Sequence, residues 1–434
     1  MTRLLTCSVV GLTCFVLSSG DGHAAAATIQ AASCAQIDVQ TAVAAASNGD
    51  TVALPACPNG AAWTSMLDVT RGITIQGQGI DITVLLDAVP KGDGNCANSN
   101  ALIGFDVPAP LRWRLTGLTI RGKVADANVC APGHIRIGST SKEWRIDHVR
   151  LENQQTAGIR VDGNTAGVID HSEFQASHKV GVVAGHPEWG GQMFGDGSWA
   201  EPSQWGTARA VFIEDSTFAD DAPLGAGAID IMDGGRVVFR HNTTSGFLVT
   251  HGTESGGRRR GARTYEIYDN VFTGTRDNFF AAIFLRGGTG VIYNNTFTGD
   301  YLNPIMVTNM RDDTAFDPWG KCDGTSPFDQ NVPGQGGYAC LDQIGRGAGQ
   351  LITGFSPTPK AWPNQVLEPL YQWGNTLNGV PGTRIAIGLE AVSILADRDY
   401  LDNMAKPEYA AFTYPHPLTR TTLPPVAPSN LKLQ

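Results

Sequence analysis

Val168-Ile-Asp-His-Ser-Glu-Phe174 and Val291-Ile-Tyr-Asn-Asn-Thr-Phe297 are two copies of one phrase. Five more copies stand in the chain: Arg114-Leu-Thr-Gly-Leu-Thr-Ile120, Arg145-Ile-Asp-His-Val-Arg-Leu151, Phe212-Ile-Glu-Asp-Ser-Thr-Phe218, Val238-Phe-Arg-His-Asn-Thr-Thr244 and Glu266-Ile-Tyr-Asp-Asn-Val-Phe272. Their last residues are 31, 23, 44, 26, 28 and 25 positions apart, and the 44 reads as one repeat plus an insertion. Each phrase alternates apolar and polar residues, the pattern of a short strand with one buried face. One strand per repeat, returned seven times, is the signature of a solenoid. Strand-only repeats of this length predict an all-β parallel β-helix, because each coil buries its inner face only by stacking on the next.

A second strand family lies between the phrases. It reads His134-Ile-Arg-Ile137, Gly158-Ile-Arg-Val161, Gly181-Val-Val-Ala184, Ala228-Ile-Asp-Ile231, Phe247-Leu-Val-Thr250, Ala282-Ile-Phe-Leu285 and Pro304-Ile-Met-Val307. Stacked in register these form one continuous sheet. Its outward positions include Arg136, Arg160 and Asp230, with Asp162, His251 and Arg286 at strand ends. The long insertions 186–207, 251–264 and 308–345 all follow this family. Loops leaving successive coils at one point stack on one side, so they are expected to wall a groove suited to a polymer.

The ends of the chain read differently. Arg3, the apolar run Leu4 to Leu17 and Ala24-Ala-Ala-Ala27 form an export signal over residues 1–26. The mature protein is expected to be secreted or periplasmic, not membrane-spanning, and monomeric. The β-helix is expected over 27–350, opening on a capping helix from Asp38 to Ala46 with Val39, Ala42, Val43 and Ala46 on one face. Residues 351–434 lose the repeat, are Pro-rich, and are expected to pack on or cap the helix. Six cysteines remain after the signal, an even number as disulfides require. Neighbours are expected to pair as 34–57, 96–130 and 322–340, although six cysteines allow fifteen pairings.

With 31 basic and 41 acidic residues the chain argues against nucleic acid as partner. Arg258, Arg259, Arg260 and Arg263 nevertheless form a basic cluster able to hold an anionic ligand, or else a solvated loop. The 186–207 insertion carries Trp189, Trp199 and Trp205, whose indoles offer flat apolar faces for sugar rings, or else form a small core pinning the loop. His251, Arg263, Arg286 and Asp230 fall within a few coils of one another. Elimination on a uronic acid needs a base for the C5 proton, a cation or metal to neutralise the adjacent carboxylate, and an acid for the leaving oxygen. These residues supply that set. His251 alternatively serves as a hydrogen-bonded residue at the loop root, and Asp230 as a ladder residue paired to an arginine. His148 and His171 hold equivalent repeat positions and read as a stack.

Gly72-Ile-Thr-Ile-Gln-Gly-Gln-Gly79, Trp144-Arg-Ile-Asp-His148, Gly227-Ala-Ile-Asp-Ile231 and Tyr293-Asn-Asn-Thr-Phe297 resemble secreted right-handed β-helix proteins of the pectin-lyase-like superfamily. The resemblance covers residues 34 to about 310 and carries the fold more than the activity. Resemblance to pectate lyases implies Ca²⁺ near Asp147 and Asp230, with 258–263 as the basic segment, although the spacing Arg-Arg-Arg-Gly-Ala-Arg departs from that family. Resemblance to polygalacturonase-like hydrolases rests on Asp220-Asp221 preceding Thr250-His-Gly252, and implies paired carboxylates among Asp220, Asp221 and Asp230. Three functions follow: a lyase acting on an acidic polysaccharide, with Arg160, Arg258, Arg260 and the three tryptophans binding it; a glycoside hydrolase; or a non-catalytic glycan-binding β-helix.

Overall fold

The structure is a computed structural model. It describes residues 26–91, 100–122, 133–154, 157–175, 180–187, 196–219, 227–255, 260–274, 281–330, 332, 339–352, 364–388 and 391–420. Cys96, Cys130, Trp189, Asp220, Asp221, Arg258 and residues 1–25 of the expected export signal lie outside the described residues.

The chain winds as a parallel β-helix. Its strands fall into one large sheet built from the repeated phrases and a second sheet of ten strands built from the other family. Apart from a hairpin at Thr376–Pro381, the pairings between named strands are parallel. In the second sheet Ile135, Ile159, Val182, Ile229, Leu248, Ile283 and Ile305 follow one another in register. All seven are fully buried. This stack faces the inner residues of the large sheet, and Phe105, Trp113 and Trp144 add a run of stacked rings inside the tube.

The phrases are not single straight strands. Each turns a corner at its centre through one residue in the left-handed region: Gly117 at φ 72°, then His148, His171, Asp215, His241, Asp269 and Asn294, with φ between 47° and 56°. Asp and Asn tolerate this conformation because a short polar side chain bonds locally. The next residue forms a ladder inside the corner. Asn270 accepts from the backbone N–H of Asn242 and donates to the carbonyls of Phe239 and Tyr268 and to Asn295. Asn295 and Asn375 continue it. The buried backbone groups that a corner frees are thereby satisfied.

The opening helix spans Gln36–Ala45, with Ala35 rather than Asp38 at its N-cap; Asp38 lies in the first turn and accepts from Ser33. Val39, Ala42 and Val43 are buried against the first coil, and Cys34–Cys57 ties the helix to the strand Cys57–Trp63. Cys322 and Cys340 are also joined. The repeat continues beyond 350, which sequence reading did not detect. Leu370–Trp373 pairs with Thr289–Tyr293, Ile385–Ile387 with Ile305–Val307, and Tyr400–Asp402 with Leu370–Trp373. Residues 404–420 then run back along the outside of the large sheet. Tyr409 bonds to Glu266, the Phe412 carbonyl to Arg240, and the His416 N–H to Glu214. No helix among the described residues is long and apolar enough to cross a membrane.

Candidate functional site

The register of the second sheet fixes what its outer face carries. One outward row runs Asp68, Gly104, Arg136, Arg160, Val183, Asp230, Val249, Phe284 and Met306. Rungs lie ~4.8 Å apart, so the row is a linear strip several sugar units long. Arg136 and Arg160 are both about one quarter exposed and share Asp162; Arg160 Nε lies 2.8 Å from its carboxylate. Beyond the middle of the strip the row turns apolar and buried at Val249, Phe284 and Met306.

Between these regions sits a charged cluster. The Thr250↔Leu285 pairing puts His251 and Arg286 on adjacent rungs just past the strand ends. His251 Nε2 lies 3.1 and 3.2 Å from the two oxygens of Asp230. Its Nδ1 lies 3.6 Å from Glu254, whose carboxylate also takes the Arg286 Nε at 3.2 Å and the Gly252 N–H at 3.1 Å. Arg286 Nη2 is 2.7 and 2.9 Å from the two ring nitrogens. A point so close to both lies over the ring face and not in its plane. Thr250 holds this arginine from behind, accepting at Oγ1 from its backbone N–H and at its carbonyl from Nε. Gly252 is required here: a Cβ would stand 2.5 Å from Glu254 Oε2 and 2.7 Å from the Arg286 carbonyl.

The electrostatics of the cluster have a definite sign. Burial alone disfavours an imidazolium, but the Asp230 carboxylate, with support from Glu254, outweighs it. His251 is raised from 6.5 to about 9, with Arg286 opposing the rise. At neutral pH His251 is therefore the imidazolium, beside Arg286. Asp230, His251, Glu254 and Arg286 retain 13, 18, 4 and 16% side-chain exposure. The first two and Arg286 are thus reachable from the strip, while Glu254 backs them.

The described parts of the three long loops pack against one another, but several residues expected to touch ligand are structural. Trp199 is fully buried, its Nε1 donates to the Gly261 carbonyl, and Arg260 and Arg263 sit 4.9 and 5.2 Å from its ring. Arg260 is fully buried in a bidentate pair with Asp342. Arg263, also fully buried, donates to the Glu201 carbonyl and lies 3.4 Å from Glu368. Neither arginine can meet a sugar, nor can Arg263 collect its proton. Trp205 is half-buried under Lys406, whose Nζ is 4.2 Å from the ring, beside Tyr371 of the large sheet. It is not on the strip. Trp189 and Arg258 lie outside the described residues.

Asp147 is likewise misplaced for a shared metal site with Asp230. It belongs to the large sheet, is fully buried, takes two hydrogen bonds from Arg114, and has Arg145 at 3.3 Å and His148 at 2.8 Å. The Arg114 and Arg145 guanidiniums hold its carboxyl below the usual range despite burial. The residues expected around calcium do not form one oxygen-rich set, which that ion requires. Glu254 was missed by sequence reading, although an acid three residues beyond a strand-end histidine was there to be found.

No known protein family matches the sequence, and no curated protein matches it. Solved structures do. An alginate lyase from Paenibacillus sp. str. FPU-7 aligns over 65% of this chain and 93% of its own, with 12% identity and a TM-score of 0.39. The catalytic domain of a GH87 alpha-1,3-glucanase in complex with tetrasaccharides aligns over 87% of this chain and 68% of its own, with 14% identity and a TM-score of 0.42. Likeness at this level concerns the course of the backbone and does not say which bond, if any, is cleaved.

Proposed function

We propose that the chain is an exported carbohydrate-active enzyme that cleaves a uronic-acid-containing polysaccharide by β-elimination on the outer face of the second sheet. The observation that carries this reading is the pairing of His251 with Arg286 on adjacent rungs, midway along a linear strip. Elimination needs a proton carrier beside a cation that offsets the substrate carboxylate. Arg286 takes the carboxylate, exchanging its contact with Glu254. His251, once neutral, accepts the C5 proton, the C4–O bond breaks as the C4–C5 double bond forms, and the resulting imidazolium returns that proton to the departing oxygen. Asp230 and Glu254 orient the ring and stabilise the imidazolium that results. Arg160 and Arg136 bind sugars further along the strip.

Hydrolysis is the second reading, favoured by one feature: Asp230 lies on the strip with part of its carboxylate accessible, as one of the two acids at a glycosidic bond would. Incubation with a panel of acidic and neutral polysaccharides separates the two. Elimination generates the ultraviolet absorbance of an unsaturated uronate, whereas hydrolysis generates reducing ends without it. Binding without either product would leave a glycan-binding β-helix.

A further inference from the structure

The corner of the large sheet carries a feature that the strip does not use. His148 and His171 occupy the same corner on successive coils, as the Asp147↔Asp170 register requires. Their rings are parallel within 6°, with centroids 5.3 Å apart. Their side chains are 57 and 50% exposed, high for a pair that pure packing would explain. Each Nδ1 lies 2.8 Å from the carboxylate of the preceding residue, Asp147 or Asp170. Those carboxylates are in turn fixed by Arg114 and Arg145. A carboxylate on Nδ1 places the proton there and leaves the Nε2 lone pair outward, the arrangement that orients histidine ligands to metals. Among the described residues neither Nε2 has a hydrogen-bond partner. The next residue in the row is Asp215, since Asp170 pairs with Glu214, so a further carboxylate lies one rung away.

We propose that His148 and His171 form a surface site for a divalent transition-metal ion of the zinc, nickel or copper(II) class. Two imidazole nitrogens at about 2.0–2.1 Å from one ion stand roughly 3–4 Å apart. The half-exposed rings, parallel and 5.3 Å apart, would tilt toward each other about χ2 to bring their in-plane lone pairs onto one ion, with no backbone change. Imidazole ligands select this class over calcium, which takes oxygen. The site is on the opposite sheet from the charged cluster and does not depend on the reaction proposed there.

The test is titration of the full-length, chelator-treated protein with Zn²⁺ and Ni²⁺ by calorimetry. His148→Asn and His171→Asn are the variants of choice, because Asn keeps the left-handed corner while removing the imidazole. Saturable one-to-one binding is expected, weakened about tenfold or more in each single variant and lost in the double variant. Wild-type protein without saturable binding, or binding unchanged in the double variant, overturns the proposal. If a variant fails to fold, acylation of the wild-type histidines by diethyl pyrocarbonate, read by mass spectrometry, decides. Zn²⁺ should protect His148 and His171 together, and equal modification with and without metal overturns the site.

Discussion

His251→Gln should cost the protein stability in a way that disappears in alkali. In the folded chain His251 is raised from 6.5 to about 9, the Asp230 carboxylate overcoming the cost of burial. A group whose folded value is raised stabilises the fold while the unfolded chain would also be protonated, that is below pH 6.5. The contribution falls as pH climbs and is gone above about 9. One unit corresponds to 1.36 kcal/mol, so the full effect is about 3 kcal/mol at most. The 18% exposure of the side chain, and the neighbouring Arg286, place the real value toward 2. Glutamine keeps a polar group at the ring position and cannot charge. Guanidinium unfolding of wild type and variant at pH 6 and pH 10 gives the difference directly. The stability gap should be about 2–3 kcal/mol at pH 6 and close to zero at pH 10. A gap that is the same at both values would refute the ion pair. Asp230→Asn provides the control, since without that carboxylate burial and Arg286 are opposed by Glu254 alone and the His251 value should fall.

Three further outcomes follow from the same geometry. If His251 is the proton acceptor, turnover should rise with pH toward about 9, and the Asp230→Asn variant should reach its maximum at lower pH; a flat profile from 6 to 9 contradicts the assignment. Trp199→Ala should destabilise by about 3–5 kcal/mol, because it opens a large buried site between Arg260 and Arg263, and thermal melting reads this. Asn270→Ala should cost about 2–4 kcal/mol, since it strands the Asn242 N–H and two carbonyls inside the tube, yet leave the groove chemistry intact in whatever protein remains folded.

The solenoid was legible because its repeat is long, regular and alternating. What alternation concealed was the corner. A left-handed residue between two short strands does not break the apolar pattern, since Ile146 and Val149 both still point inward. The signal lay in the central pairs Asp215-Ser216, His241-Asn242, Asp269-Asn270 and Asn294-Asn295, which favour that conformation. Asp230, His251 and Arg286 could be grouped from sequence because they sit on consecutive strands, where register converts spacing into distance. Arg260, Arg263 and Trp199 could not be placed. Their burial depends on Asp342 and Glu368, roughly eighty to a hundred residues further on, in segments without a repeat. The coil at 370–402 escaped notice because a long insertion separates it from the strands it joins.

Bond cleavage is proposed to occur at His251 and Arg286. The most direct measurement is the rate of unsaturated-uronate absorbance on the best acidic polysaccharide of the panel, for wild type, His251→Ala and Arg286→Ala, with folding checked by melting. The wild type should generate the chromophore, and each variant should lose about 10²–10⁴-fold in rate. Near-normal rates in both variants, or reducing ends without the chromophore from the wild type, would contradict it.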